Sequence, residues 1–269
     1  MNLDQKLYRF ISDAAFHPTP ANCSAADNLL ETFLSGSFFE KPQTIHIGST
    51  RNGTAVADFP VFDFLIVVDR EALICQNALN SLCNLCSARK ISFERTSLGV
   101  VFQIRGTFFC LIPCSRTKVA DEVVYSPDST MQKIDVASHI HRMGLLDERT
   151  KNSIRLVKLW NHANGLPFES YHLDTAISRM TLTSLSWLYT IIEVFEQLHD
   201  GLATPLITSN GIRADGYLKD SDRQVLRSLC DEVRNIAKNA YLYSMLASKE
   251  EEHARAERAI AAIFGHASF

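Results

Sequence analysis

Two short runs carry residue types from which a phosphate-handling site can be built. The first, residues 44–50 (TIHIGST), ends a β-branched stretch on a Gly-Ser turn. At such a turn Gly48 would let a phosphate approach the backbone closely. Backbone N–H groups and the Ser49 and Thr50 hydroxyls would then donate to it. The second run, residues 61–68 (VFDFLIVV), places one carboxylate, Asp63, in an otherwise apolar stretch. Burying an unpaired carboxylate costs several kcal/mol. Asp63 must therefore hold a metal ion, sit at a strand end, or pair with a base such as Arg51, Arg105 or Lys158.

Phosphate chemistry with Mg²⁺ asks for hard oxygen ligands in a near-octahedral array, and a two-metal site needs several carboxylates. The position one residue removed from Asp63 on the same strand is Val61. Asp58 precedes Asp63 in the run TAVADFPVFD and is a conceivable stand-in ligand, although Pro60 restricts the loop between them. Asp69 follows the strand at its far end, about 20 Å away if the chain is extended, which is out of reach.

Other candidates have plainer readings. Cys83 and Cys86 form a C-x-x-C pair inside a helical pattern, and no second pair answers it, so buried helix cysteines are favoured over structural zinc. His139 and His141 stand two apart on a helix, where side chains do not face each other. His162 and His172 flank a Gly-Pro loop and are expected to be exposed. Trp160 and Trp187 are expected in the core, and the run KEEEHARAER reads as a solvated helix face.

The elements that must position these residues follow from periodicity. Residues 2–15 and 25–35 read as helices separated by a breaker containing Pro18 and Pro20, with Asn22 or Ser24 as cap. Residues 44–48 and 61–68 read as strands, the second buried on both faces. A helix over 70–89 and three short strands (ISFERTS, VVFQIRG, TFFCLIPC) follow, with turns at Leu98-Gly99 and Arg105-Gly106. Residues 115–130 are polar and loop-like. Helical patterns then run over 145–164, 181–201, 220–248 and 251–265. The expected fold class is α+β: a mixed sheet with helices over residues 1–130, and a helical domain over 131–269 with which the N-terminal helices pack.

The chain has 269 residues, 46% of them hydrophobic, with a formal net charge of −3, which argues against a generally nucleic-acid-coating surface. No run approaches the roughly 18 apolar residues a membrane span needs, and the N-terminus lacks a signal-peptide core. Seven cysteines, an odd number, fit a reducing cytoplasm better than a disulfide framework. The expected location is therefore cytoplasmic, with no membrane partner.

In its order of motifs, GSTRNGT…VFDFLIVV resembles the GS…D-x-D signature of the DNA polymerase β-like nucleotidyltransferase superfamily, and most nearly its bacterial CD-NTase (cGAS/DncV-like) branch. Behind these stand the oligoadenylate synthetases. VVFQIRGTFFCLIP is similar to the strand that carries the family's third acid. SIRLVKLWNHANGLPFESYHLDTAI is similar to its R-x-x-K-x-W…hLE helix-loop-helix. LKDSDRQVLRSL and AERAIAAIFGHASF are similar to the closing helices, so the resemblance spans nearly the whole chain.

The resemblance places the first acid on Val61, the second on Asp63 and the third on Cys110. It places the phosphate turn on Gly48 and Ser49, and the triphosphate-reaching lysine on Lys158. It thus implies a nucleotidyltransferase fold with a degenerate metal triad, Asp63 at most remaining as a ligand. Mg²⁺ or Mn²⁺ would be present only with activity or with a bound nucleotide. The expected ligand is a nucleotide or oligonucleotide, the expected protein partner an active paralogue or effector, and the setting bacterial anti-phage (CBASS-like) signalling. Two alternatives stay open: an active enzyme with an atypical metal site using Asp63 and Asp58, and a non-catalytic interaction module.

Overall fold

The computed structural model describes residues 2–37, 39, 42–68, 77–96, 99–116, 122–124, 132–134, 136–208, 213–246 and 250–266. These fall into two compact units, one of residues 16–145 and one joining residues 1–15 to 146–269. Asp69 and Leu98 lie outside the described residues, as does the 70–76 part of the helix expected over 70–89.

The first unit is built on a mixed sheet. Its strands are β1 (Gln43–Ile47), β2 (Val61–Val67), β3 (Phe93–Arg95), β4 (Val100–Ile104), β5 (Thr107–Arg116), β6 (Glu122–Val124) and β7 (Gln132–Ile134). The order is β1-β2-β5-β4-β3, with β6 pairing to β5 and β7 to β6. Only β2 and β5, among these described strands, run parallel; the other pairs are antiparallel. The β4–β5 hairpin closes on Arg105 (φ 48) and Gly106 (φ 84). Positive φ at both central residues is the type I′ geometry that matches strand twist.

Four helices complete this unit's described part: α2 (Pro20–Leu34), the single-turn α3 (Gly48–Asn52), α4 (Asn77–Ala88) and, after β7, α5 (Val136–Gly144). Helix α2 starts earlier than the prolines suggest. Thr19 is the N-cap, Asn22 completes the capping box, and Pro20 sits at the first helical position, where its missing N–H costs nothing. Alternate residues of the strands fill one core with α2 and α4: Phe62, Phe64 and Ile66 from β2 and Phe109 and Leu111 from β5, against Leu30, Phe33, Leu79 and Leu82. The 115–130 segment expected as loop contains strand β6. A three-residue strand that pairs at both edges gives too short a pattern for alternation to register. With β6, β7 and α5 in the sheet unit, the boundary falls at 145/146 instead of 130.

The second unit is helical: α1 (Leu3–Asp13), α6 (Glu148–Ala163), α7 (Ser170–Ile177), α8 (Trp187–Gly201), α9 (Asp220–Leu246) and α10 (Glu250–Ile263). Helix α1 joins it through Asp4, whose carboxylate accepts from Ser186 Oγ at 2.8 Å and from the Leu188 N–H at 3.0 Å. Asp4 thus serves the start of α8, where Ser186 is itself the N-cap. The core takes Leu7, Ile11, Ile154, Val157, Trp160, Ile191 and Phe195. Helix α2, by contrast, packs on the sheet, so the two N-terminal helices divide between the units. Among the described residues no helix is long and apolar enough to cross a membrane.

Candidate functional site

The Gly-Ser turn is the single helical turn α3, entered directly from β1. Gly48 has φ +74, a conformation L side chains rarely adopt. It also faces Asp63: a Cβ at position 48 would lie 2.6 Å from the carboxyl carbon of Asp63 and 2.8 Å from its Cβ, with Oδ2 closer still. Glycine is therefore required twice, by the backbone and by the carboxylate lying over it. The turn closes where the Thr54 N–H donates to the Ser49 carbonyl at 3.0 Å, and it ends on Gly53 at φ 70.

The two flanking β2 neighbours fix where Asp63 points. Phe62 and Phe64 are in the core, so by the two-residue period Val61 and Asp63 look out of the opposite face. On that face Asp63 is in register with Ile47 of β1 and with Cys110 of β5, and Val61 is in register with the partly exposed Phe108. The three positions Val61, Asp63 and Cys110 thus share one face beside Gly48, Asp63 and Cys110 about 5 Å apart across strands and Val61 about 7 Å from Asp63 along its own strand.

Ser49 is partly exposed on the turn. Thr50 differs from its expected role. It is buried, its hydroxyl donates to the Val61 carbonyl at 3.3 Å, and His46 Nε2 lies 2.9 Å from the same oxygen. That hydroxyl fastens the turn to the sheet from below and is not a phosphate donor. Asn52, also buried, contacts His139 of α5 at 3.4 Å (Nδ2 to Nε2), and Arg142 Nη2 lies 3.3 Å from His139 Nδ1. The turn is thereby held by one histidine at its middle, Thr50, and by another at its end, Asn52. Sequence reasoning missed both. Nothing in the spacing of His46 or His139 distinguishes them from surface residues, because their partners are short side chains of the turn itself.

Asp58 lies in an exposed turn ahead of Pro60. Among the described residues no group of three or more His, Cys, Asp or Glu is placed to hold a metal ion, so Asp58, Asp63 and Cys110 form no such cluster. A two-Mg²⁺ site does not fit this face. Valine offers no ligand atom and a thiol is a soft donor for a hard cation. Cys83 and Cys86 lie on α4, Cys86 fully buried with its thiol pushed up to about 11 by burial, which is the inert reading of the pair.

In the helical unit, Lys158 of α6 is buried and its ammonium lies 2.7 Å from the buried Asp174 carboxylate of α7. His172, expected to be exposed, is buried. Its Nδ1 lies 2.9 Å from the Tyr217 hydroxyl, which also accepts from the Glu169 N–H at 2.9 Å. Burial lowers the His172 imidazole to about 4, with Asp215 opposing and Arg223 reinforcing the shift. Trp160 and Trp187 are in the core as expected, while His162 is exposed.

No family model matches the chain, and no curated protein does. Solved structures do. The chain is similar to CdnC of E. coli MS115-1 in complex with HORMA-deltaN, with a TM-score of 0.68 at 14% identity over 99% of this chain and 98% of that one. It is similar to the CD-NTase CdnG of Bradyrhizobium diazoefficiens in complex with GTP, with a TM-score of 0.70 at 10% identity, covering 96% and 98%. The Vibrio cholerae cyclic AMP-GMP synthase DncV, with the linear intermediate pppA(3′,5′)pG, gives a TM-score of 0.61 at 14% identity, covering 85% and 69%. The fold is that of the CD-NTase nucleotidyltransferases, a mixed-sheet core with a helical region, as the order of motifs implied.

Proposed function

We propose that this protein binds a nucleotide or oligonucleotide at the Gly48–Ser49 turn and carries out little or no nucleotidyl transfer. One observation carries the reading: the face beside the turn presents Asp63 in register with Cys110, with Val61 two residues before Asp63 on the same strand, and a single hard oxygen ligand among the three. Two-metal transfer relies on carboxylates that place one ion on the attacking hydroxyl and another on the leaving pyrophosphate. Losing that Lewis-acid stabilisation removes several kcal/mol from the transition state, and each 1.36 kcal/mol is tenfold in rate. Asp63 is the one carboxylate among these three positions that could touch a cation that a nucleotide brings with it. The close approach permitted at Gly48 suits an anionic ligand on the same turn.

The fold supports a setting among CD-NTase signalling proteins, with CBASS-like anti-phage defence as the proposed context. A similar structure is a complex with GTP and another a complex with HORMA-deltaN, which supports a nucleotide ligand and a protein partner for this chain as well. Lys158 stays in this reading as a residue of the helical unit whose charge is taken up by Asp174. The test is titration calorimetry with ATP and GTP plus Mg²⁺, run beside a synthesis assay with labelled nucleotides and Mg²⁺ or Mn²⁺. Saturable binding with no product supports the proposal. Robust metal-dependent product overturns the loss of transfer, and absence of binding overturns the nucleotide site.

A further inference from the structure

Helix α5 begins against the face of the sheet that carries Asp63. Its first residue, Val136, packs with Leu65 and Cys114 in a small cluster that Ile47 and Val67 extend. His139 stands three residues on, along the same side of the helix, and Arg142 three further. His139 is buried, as is Asn52 at the end of α3. One row of α5 thus grips the sheet at Val136 and meets the Gly48–Asn52 turn at His139.

The His139 ring lies between two donors. Asn52 Nδ2 is 3.4 Å from its Nε2, and Arg142 Nη2 is 3.3 Å from its Nδ1. A neutral imidazole has one acceptor nitrogen and one N–H, and an imidazolium has no acceptor at all. A guanidinium can only donate, so Nδ1 must be the bare nitrogen and Nε2 must bear the proton. The Nε2–H needs an acceptor. The Asn52 amide supplies one when turned end for end, its oxygen and nitrogen ends being nearly alike in shape. The bonds then run in one direction: Arg142 donates to His139, and His139 donates to Asn52 Oδ1. The charged donor at the head of this chain polarises the bond at its foot.

We infer that His139 is a positioning residue of the Gly48–Ser49 turn: in its neutral Nε2–H form it holds Asn52 and ties the turn to α5. The functional sense of this role rests on the nucleotide site proposed above; the bond itself rests on the two neighbours of the ring. Thr50 secures the middle of the turn to the sheet, and His139 secures its end, beside the point where the Thr54 N–H returns to the Ser49 carbonyl. With both fixed, the backbone at Gly48 and Ser49 keeps one orientation toward an incoming anion.

Two variants separate the bonds. A glutamine amide puts its nitrogen where Nε2 stands, so His139→Gln keeps the bond to Asn52. An asparagine amide puts its polar atoms where Nδ1 stands, so His139→Asn keeps only the bond to Arg142. Both lose the ring, so lost packing alone would affect them alike. Without nucleotide, side-chain nitrogen NMR of the full chain should show His139 protonated at Nε2 and bare at Nδ1. Hydrogen exchange of the 50–54 amides should quicken in His139→Asn and return toward the wild-type rate in His139→Gln. In calorimetric titration with ATP and Mg²⁺, His139→Asn should weaken binding at least fivefold, and His139→Gln should recover most of that loss. A proton on Nδ1, or equal exchange in the two variants, overturns the bond. Equal ATP affinity in the two variants overturns the positioning role. A wild type that binds no ATP overturns the nucleotide site, and the spectra and the nucleotide-free exchange still decide the bond.

Discussion

Replacing Gly48 by alanine tests whether the Asp63 carboxylate lies over the turn. The new methyl meets the carboxyl carbon at 2.6 Å and Asp63 Cβ at 2.8 Å, so the Asp63 side chain must leave its position. Two costs add. Holding alanine at φ +74 costs about 1–2 kcal/mol in the left-handed region, and driving a neighbouring side chain off its rotamer costs about 0.5–1.5 kcal/mol. Gly48→Ala should therefore destabilise the sheet unit by about 1.5–3.5 kcal/mol. In an Asp63→Gly background the second cost disappears, so the same substitution should cost only about 1–2 kcal/mol. Both tryptophans, Trp160 and Trp187, belong to the helical unit, so their fluorescence does not report on this site directly. Urea dependence of hydrogen exchange at β1 and β2 amides is the appropriate measurement. Equal costs in the two backgrounds would refute the close approach of carboxylate and glycine.

Three further outcomes are expected. Val61→Asp/Cys110→Asp puts three carboxylates on adjacent positions, so its melting temperature should fall without metal and recover with millimolar Mn²⁺, the wild type being indifferent. If Mn²⁺ leaves the variant unchanged, the three positions do not converge. Asp174→Ala removes a carboxylate 2.7 Å from the buried Lys158 ammonium and should cost about 3–5 kcal/mol, while Lys158→Met/Asp174→Leu recovers most of it; denaturant unfolding followed by tryptophan fluorescence reads both. His172 is neutral in the fold because burial lowers it to about 4 from the ordinary 6.5. Its contribution is complete above about pH 6.5 and is lost as pH falls toward 4, a loss of up to about 3 kcal/mol. The wild type should therefore lose stability more steeply over that window than His172→Phe, and parallel pH curves would refute the assignment.

How far the sequence discloses this molecule depends on the length of the signal. The strand VFDFLIVV and the amphipathic helices are legible because their periods run over many residues, and the Gly-Ser turn is legible because it lies between two such strands. Register is legible only through resemblance. Nothing local says that Asp63 and Cys110 are neighbours, since parallel pairing leaves no turn between its partners to mark the alignment. Thr50 shows the opposite failure. Its type suits a phosphate donor, but its hydroxyl is committed to Val61 and His46, partners that composition does not reveal. Pro20 misled for a simpler reason: the residue that breaks a helix interior also opens a helix at its first position. Lys158 matched a motif by spacing, yet its charge is already met by Asp174.

The parallel pairing of β2 with β5 has a kinetic consequence. Strands β3, β4 and β5 form a local meander closed by the tight Arg105–Gly106 turn, and β1 and β2 form a second local block around α3. Each block can assemble from contacts near in sequence, which form early. Joining them requires β2 to find β5 across the intervening helix and strands, and the loop-closure entropy of that step must be met before its contacts are gained. The face carrying Asp63 and Cys110 is the seam between the blocks, and the loop-closure cost of joining them predicts that it forms after either block. Substitutions at Cys110 should consequently speed unfolding more than they slow folding.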